Sequence, residues 1–326
     1  MNLSGPFWKI STASAFEKIA WETFSYQYEN NPTYRAYCHL INVAPEDCKE
    51  LTDIPFLPVE LFKSHQIRSS SAPITHEFRS SGTSSTQTSK HLLSDISAYE
   101  KSFSEGFKLF YGDPTDWVIL ALLPSYLERE DSSLVYMAQK LMEDSGQPEN
   151  GFYLDQLAAL RSKLQQLALR QQKVLLLGVS FALLDLAALG PLSLPQTVIM
   201  ETGGMKGRRK EIIREELHQI LKSAFGVEGI HSEYGMTELL SQAYSSGQGL
   251  FECPPWMRVL GRSTEDPLST GGLKQQVGLN IIDLANQQSC AFIATQDLGR
   301  IYPNGSFEVL GRFDAADVRG CNLMVL

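Results

Sequence analysis

The stretch VLLLGVSFALLDLAAL, Val174 to Leu189, decides the fold. It is the most lipid-like part of the chain, but it is shorter than the ~20 apolar residues that cross a bilayer, and it contains Asp185 and a Gly-Val-Ser break. It is therefore read as a buried strand, a turn and a buried helix. Upstream, WVILALL (Trp117 to Leu123) is apolar without alternation and stops at Pro124, as expected of a strand covered on both faces. Downstream, TVIM (Thr197 to Met200) forms a third such strand and runs into Glu201, Thr202, Gly203 and Gly204.

Helical spacing fills the gaps between these strands. It appears from Ser94 to Phe110, Ser133 to Asp144, Leu154 to Arg170 and Arg208 to Phe225. Strands alternating with helices of this length predict an α/β fold with a mostly parallel sheet. An entry helix is expected from the capping-box spacing of Ser14 and Glu17 to a stop at Asn30, Asn31 and Pro32. Ile54 to Phe62 reads as an irregular crossing followed by a short helix or strand. After about Phe251 the texture changes to short β-like runs, including Phe292 to Thr295 and a hairpin around Asn304 and Gly305, which predicts a smaller β-rich subdomain.

At 326 residues the chain can form one large or two smaller domains. Its formal net charge of −9 argues against a broad surface for nucleic acid or anionic membrane, since such surfaces need a basic excess. The five cysteines include no C-x-x-C pair, and the N-terminus has no apolar core of signal-peptide length, so a reduced, cytoplasmic protein without a membrane span is expected.

Four patches carry chemistry. In SSGTSSTQTSK, Ser80 to Lys90, hydroxyl side chains crowd ahead of a cation. Composition alone allows a flexible linker; the alternative is a cradle of amides, hydroxyls and an ammonium around a phosphate. It is not a Walker loop, because G-x-x-x-x-G-K-[ST] is absent. In ETGG, Gly203 and Gly204 either end a strand or let backbone approach a flat ligand closely. In EYGMTE, Glu233 to Glu238, the Thr and Glu either cap a following helix or present a hydroxyl and a carboxylate to a phosphate-bound cation. QDLG (Gln296 to Gly299) and GRFD (Gly311 to Asp314) supply Asp297, placed on a turn, and Arg312; a turn-capping Asp and a surface Arg-Asp pair are the plainer readings.

Together the patches resemble the adenylate-forming superfamily of acyl-CoA synthetases, luciferases and peptide-synthetase adenylation domains. YQYENNPTYRAYC (Tyr26 to Cys38), LLPSYLEREDSSLVYM (Leu122 to Met137) and RGCNL (Arg319 to Leu323) look like segments of its LuxE branch, the acyl-protein synthetases of bacterial bioluminescence. This resemblance implies a Mg²⁺- and ATP-dependent ligase that activates a carboxylic acid, such as a fatty acid, to an acyl-adenylate. Ser80, Ser81, Gly82, Thr83, Ser84 and Lys90 would hold the phosphates, although Ser85 stands where the superfamily usually has a second glycine and Lys90 lies further from Gly82 than usual. Gly203 and Gly204 would lie against adenine, Tyr234 would stack on it, and Gly235 and Met236 would belong to the same nucleotide-binding set. Thr237 would reach the phosphates, Glu238 would bind Mg²⁺, Asp297 would bind ribose and Arg312 ribose or phosphate.

The same resemblance implies an adenylation domain over 1–312, β-rich from about 251, with 313–326 as hinge and tail. The superfamily's usual C-terminal domain, with its adenylation lysine, would be truncated, since the sequence stops at Leu326. It also makes Cys321 a candidate acyl acceptor that hands the group to a partner protein, against the plainer reading of an apolar buried thiol. CoA as the acceptor, as in phenylacetate-type CoA ligases, and a non-catalytic nucleotide- or acyl-binding module remain alternatives. The acid is expected beside the apolar segments near Pro124 and Val179. His231 could contact the substrate or serve structure.

Overall fold

The computed structural model describes residues 5–80, 88–124, 131–203 and 212–313. Helix α1 (Ala13–Asn30) starts two residues earlier than the Ser14 and Glu17 spacing suggests. Thr12 caps it by accepting the Ala15 N–H at 3.1 Å, which leaves Ser14 inside the first turn. Asn31 ends α1 and begins α2 (Pro32–Leu40): its N–H donates to Gln27 O at 2.9 Å and its side chain accepts the Tyr34 N–H at 3.0 Å. Pro32 is tolerated there because the first helical N–H has no partner to lose.

The irregular crossing supplies β1 (Leu57–Pro58) and α3 (Leu61–Ser64). A two-stranded hairpin follows, β2 (His76–Arg79) and β3 (Lys90–Leu93), with the hydroxyl-rich run between its strands. Helix α4 (Ser97–Tyr111) leads into β4 (Val118–Leu122), every residue of which is buried.

From there the chain alternates as expected. It runs through α5 (Ser133–Ser145), β5 (Gly151–Tyr153), α6 (Leu157–Leu169), β6 (Val174–Val179), α7 (Ser180–Ala187), β7 (Thr197–Thr202), α8 (Arg214–Phe225) and β8 (Ile230–Tyr234). The five strands are parallel in the order β5-β4-β6-β7-β8, and β9 (Ala243–Ser245) closes the edge antiparallel to β8. Contrary to the sequence reading, no turn separates β6 from α7: the strand runs through Gly178 and Val179 and the helix begins at Ser180. Glycine is needed because α7 folds back so closely that a Cβ at 178 would lie 2.7 Å from Leu183 Cδ2.

The second sheet is antiparallel, in the order β10 (Leu250–Phe251), β14 (Phe307–Arg312), β13 (Phe292–Ile301), β12 (Val277–Asp283) and β11 (Met257–Arg262). It also recruits β1, which pairs with β13 at Leu57 and Ile293, so the β-rich part draws on the N-terminal segment. Aromatic rings close the joint. Phe24 of α1 meets Phe292 edge-on at 5.9 Å, and Tyr34 of α2 stacks on it at 6.3 Å.

Candidate active site

Register aligns the carboxyl ends of the central strands, with Val179 beside Thr202 and Thr202 beside Glu233. In an open α/β sheet this edge is where ligands bind. The EYGMTE patch leaves β8 here. No helix follows it; the chain turns directly into β9, so Thr237 and Glu238 do not cap one.

The turn is instead clamped from the second sheet and the hairpin. Asp283, fully buried at the end of β12, accepts the N–H groups of Leu240 at 2.7 Å, Ser241 at 2.9 Å and Ala285 at 3.1 Å, and the Ser241 hydroxyl at 2.5 Å. Burial pushes its carboxyl above the usual range and these donors oppose the rise. Asn286 donates to Glu238 O at 2.8 Å, and His91 Nδ1 lies 2.7 Å from Thr237 O.

The Glu238 side chain is buried, and burial raises its pKa. The Ser89 hydroxyl and Glu238's own backbone N–H oppose that rise, with Arg312 and Lys63 acting on it as charges. Ser89 is held in turn by Ser80: the Ser89 N–H donates to Ser80 Oγ at 3.0 Å and the Ser80 N–H to Ser89 O at 3.1 Å. The two ends of the hydroxyl-rich run therefore meet beside Glu238. Ser81, Gly82, Thr83 and Ser84 lie outside the described residues. Lys90 is exposed, and strand alternation turns it to the face opposite Ser89 and His91.

Tyr234 and Asp297, 63 positions apart, meet at 2.7 Å, with the tyrosine hydroxyl donating to the carboxylate. Asp297 lies within β13 and not on the expected turn; a register shift at Leu298 and Gly299 follows it. It pairs across the ladder with Arg312. Burial raises the Asp297 pKa, against the opposing pull of Tyr234, Arg312 and Arg262. Arg262 is a buried cation that donates to Leu279 O at 2.8 Å, Asn280 Oδ1 at 3.0 Å and Thr295 O. Arg312 donates to Gln296 Oε1 at 2.5 Å. The Tyr234 ring, 9% exposed, packs edge-on against Phe251 at 5.9 Å and Phe307 at 5.5 Å.

Glu201 closes the neighbouring edge. It accepts hydroxyl hydrogen bonds from Ser180 at 3.1 Å and Ser232 at 2.8 Å, with Arg214 Nε at 3.7 Å and His218 Nε2 at 3.6 Å, the last too far for a hydrogen bond. Burial alone would raise its pKa, but these partners bring it below the ordinary value. Ser180 also donates to Gly203 O at 2.8 Å, and Gly203 has φ +65°, which a side chain would strain. Gly235 is exposed at the turn and Met236 is half-buried, while Gly204 lies outside the described residues.

On the other face Glu233 accepts from Thr202 at 2.5 Å, and its carboxyl is pushed up to about 7, by burial first and then by the nearby Glu201 charge. His231 bonds the Tyr111 hydroxyl at 3.2 Å, which favours its structural reading. Sequence reasoning passed over Ser89, His91, Arg262, Asp283 and Asn286 in the site. The last two were visible only as an acid and an amide closing the apolar run IIDLAN (Ile281 to Asn286).

Residues 9–115 match the family model for acyl-protein synthetase, LuxE. No curated protein matches the chain. Among solved structures, ATP-bound MatB from Rhodopseudomonas palustris aligns at 16% identity with a TM-score of 0.56, covering 74% of this chain and 49% of its own. A 2-hydroxyisobutyryl-CoA ligase in complex with 2-HIB-AMP and CoA aligns at 13% identity and TM-score 0.68, covering 94% and 72%. The chain thus spans about half the length of the MatB structure. The likeness to LuxE read from the sequence is borne out over residues 9–115, and over the aligned 74–94% of its length the chain has the fold of these ligases.

Proposed function

We propose that the protein is an ATP-dependent ligase that activates a carboxylic acid, fatty acids included, as its acyl-adenylate and then passes the acyl group to a thiol. The observation that carries this reading is the meeting of Ser80, Ser89, Glu238, Tyr234, Asp297 and Arg312 at one sheet edge, from segments more than two hundred positions apart. In this reading 1–312 form the adenylation domain and 313–326 its hinge and tail. Four free thiols among the described residues, Cys38, Cys48, Cys253 and Cys290, support a reducing, cytoplasmic setting.

In the first step a carboxylate oxygen forms a bond to the α-phosphorus of ATP, and the bond to the pyrophosphate oxygen breaks. Two anions must approach each other, so the site has to hold them together and offset their charge. Ser80 and the hydroxyls that follow would donate to the phosphates, and Arg312 and Asp297 would orient the ribose. Glu238 suits Mg²⁺: among the described residues no cation lies within ion-pair distance of it, and a hard ion that keeps most of its waters needs few protein oxygens. When bound, Mg²⁺ would neutralise phosphate charge. In the second step a thiolate attacks the acyl carbonyl, the thioester forms and AMP leaves. The thiol is Cys321, which lies outside the described residues, or that of a partner protein. The CoA held by the 2-hydroxyisobutyryl-CoA ligase favours a second reading, with CoA as the thiol.

Acid-dependent exchange of labelled pyrophosphate into ATP across a panel of carboxylic acids tests the first step. Exchange with at least one acid is expected; ATP binding with no exchange for any acid would leave a binding module. Labelled acyl group retained on the protein and lost in Cys321→Ser supports the internal thiol, whereas CoA-dependent AMP formation supports the second reading.

A further inference from the structure

His91 has no part in the chemistry above, yet it is completely buried at the centre of the site. It lies on β3 two residues past Ser89, so both side chains face the Thr237–Glu238 turn. Its Nδ1 is 2.7 Å from Thr237 O, and a carbonyl only accepts, so Nδ1 carries the proton. Its Nε2 is 3.1 Å from Asn286 Oδ1, and the amide of Asn286 is fixed in that orientation because its NH₂ donates to Glu238 O at 2.8 Å. Phe62 packs edge-on against the ring at 5.8 Å. Burial holds the imidazole's pKa down at about 4, against the opposing pull of the two oxygens at its nitrogens; a neutral ring has one N–H to give, and the shorter contact, to Thr237 O, is the one it serves.

We propose that His91 is a positioning residue. By donating to the Thr237 carbonyl it ties β3 to the turn bearing Thr237 and Glu238, and so fixes the spacing between Ser89 and the Glu238 carboxylate. This rests on the adenylation reading above. Among the described residues, the Ser89 hydroxyl at Glu238 is the other polar link between the hairpin and the turn, and binding of a cation would compete for it.

The imidazole geometry supplies the test. Asparagine places an amide N–H where Nδ1 stands, glutamine places one where Nε2 stands, and phenylalanine keeps the shape without a donor. His91→Asn is expected to retain acid-dependent pyrophosphate exchange within a few-fold. His91→Gln and His91→Phe are expected to lower kcat by roughly 10-fold or more, as misplacement of reacting groups does, and to raise the Mg²⁺ concentration for half-maximal exchange. Thermal unfolding of each variant shows whether it is folded at the assay temperature. Should His91→Phe fail to fold, the asparagine and glutamine variants decide. Equal activity and Mg²⁺ dependence in folded asparagine and glutamine variants would overturn the proposal. Wild-type protein that exchanges with no acid would overturn the adenylation reading itself, and this one with it.

Discussion

Among the described residues, the Tyr234 hydroxyl is the group through which the central sheet hydrogen-bonds Asp297 of the second sheet. Tyr234→Phe leaves a buried carboxylate short of a donor, a loss of about 1–3 kcal/mol. Urea unfolding should register that loss, and ATP affinity should fall with it, because Asp297 is then held only by more distant cations. Glu233 makes the opposite kind of prediction. Its carboxyl titrates near 7 in the folded protein and near 4.5 when unfolded. Between those values the unfolded chain gives up its proton while the folded one keeps it, so stability is full below about pH 4.5 and declines as pH rises to 7. Glu233→Gln keeps an acceptor for Thr202 and removes the titration. At pH 8 the variant should be more stable than wild type by roughly 3 kcal/mol, and the difference should shrink towards zero near pH 4.5, as read from urea midpoints across that range.

Elements show how much could be read in advance. The buried strands of the central sheet were legible because a parallel strand covered on both faces writes itself as an unbroken apolar run, as Val118–Leu122 and Val174–Val179 do. Tyr234, Glu238, Asp297 and Arg312 were legible as motif residues, and they do come together. The clamp beneath them was not, because hydrogen bonds to backbone demand only a donor or an acceptor, and that leaves no spacing to detect. Asp283 belongs to this hidden set, since three of its four donors reach it across some forty positions. Asp283→Ala would strand the Leu240 and Ser241 N–H groups in a dry environment and should cost more than about 3 kcal/mol in urea unfolding. Asp283→Asn, which still accepts but carries no charge, should lose less.

Across the molecule, the two sheets are joined around the same place that would hold the nucleotide. Trp256 Nε1 donates to Ser102 at 3.0 Å and Ser241 at 3.1 Å, and Ser241 donates onward to Asp283, so α4, the motif turn and the second sheet form one polar chain. Above it, Tyr234 stands on the central sheet, while Asp297 and Arg312 stand on the other. A ligand that touches both sides stabilises the joint as well as itself, and anything that binds only the folded state raises its stability by mass action. Mg·ATP at a hundred times its dissociation constant should add about 2.7 kcal/mol, a rise of a few degrees in Tm. Arg312→Ala should abolish most of that rise, since the arginine stands on the second-sheet side across the ladder from Asp297 and its charge acts on both Asp297 and Glu238. Arg161→Ala makes a control of the same chemistry: this arginine bonds Gly190 O and Pro191 O on the surface between α6 and the end of α7, away from the strand ends. Its variant should begin at a slightly lower Tm and still gain the full increment from Mg·ATP, and an equal loss of the increment in both variants would mean that the nucleotide does not sit between the sheets.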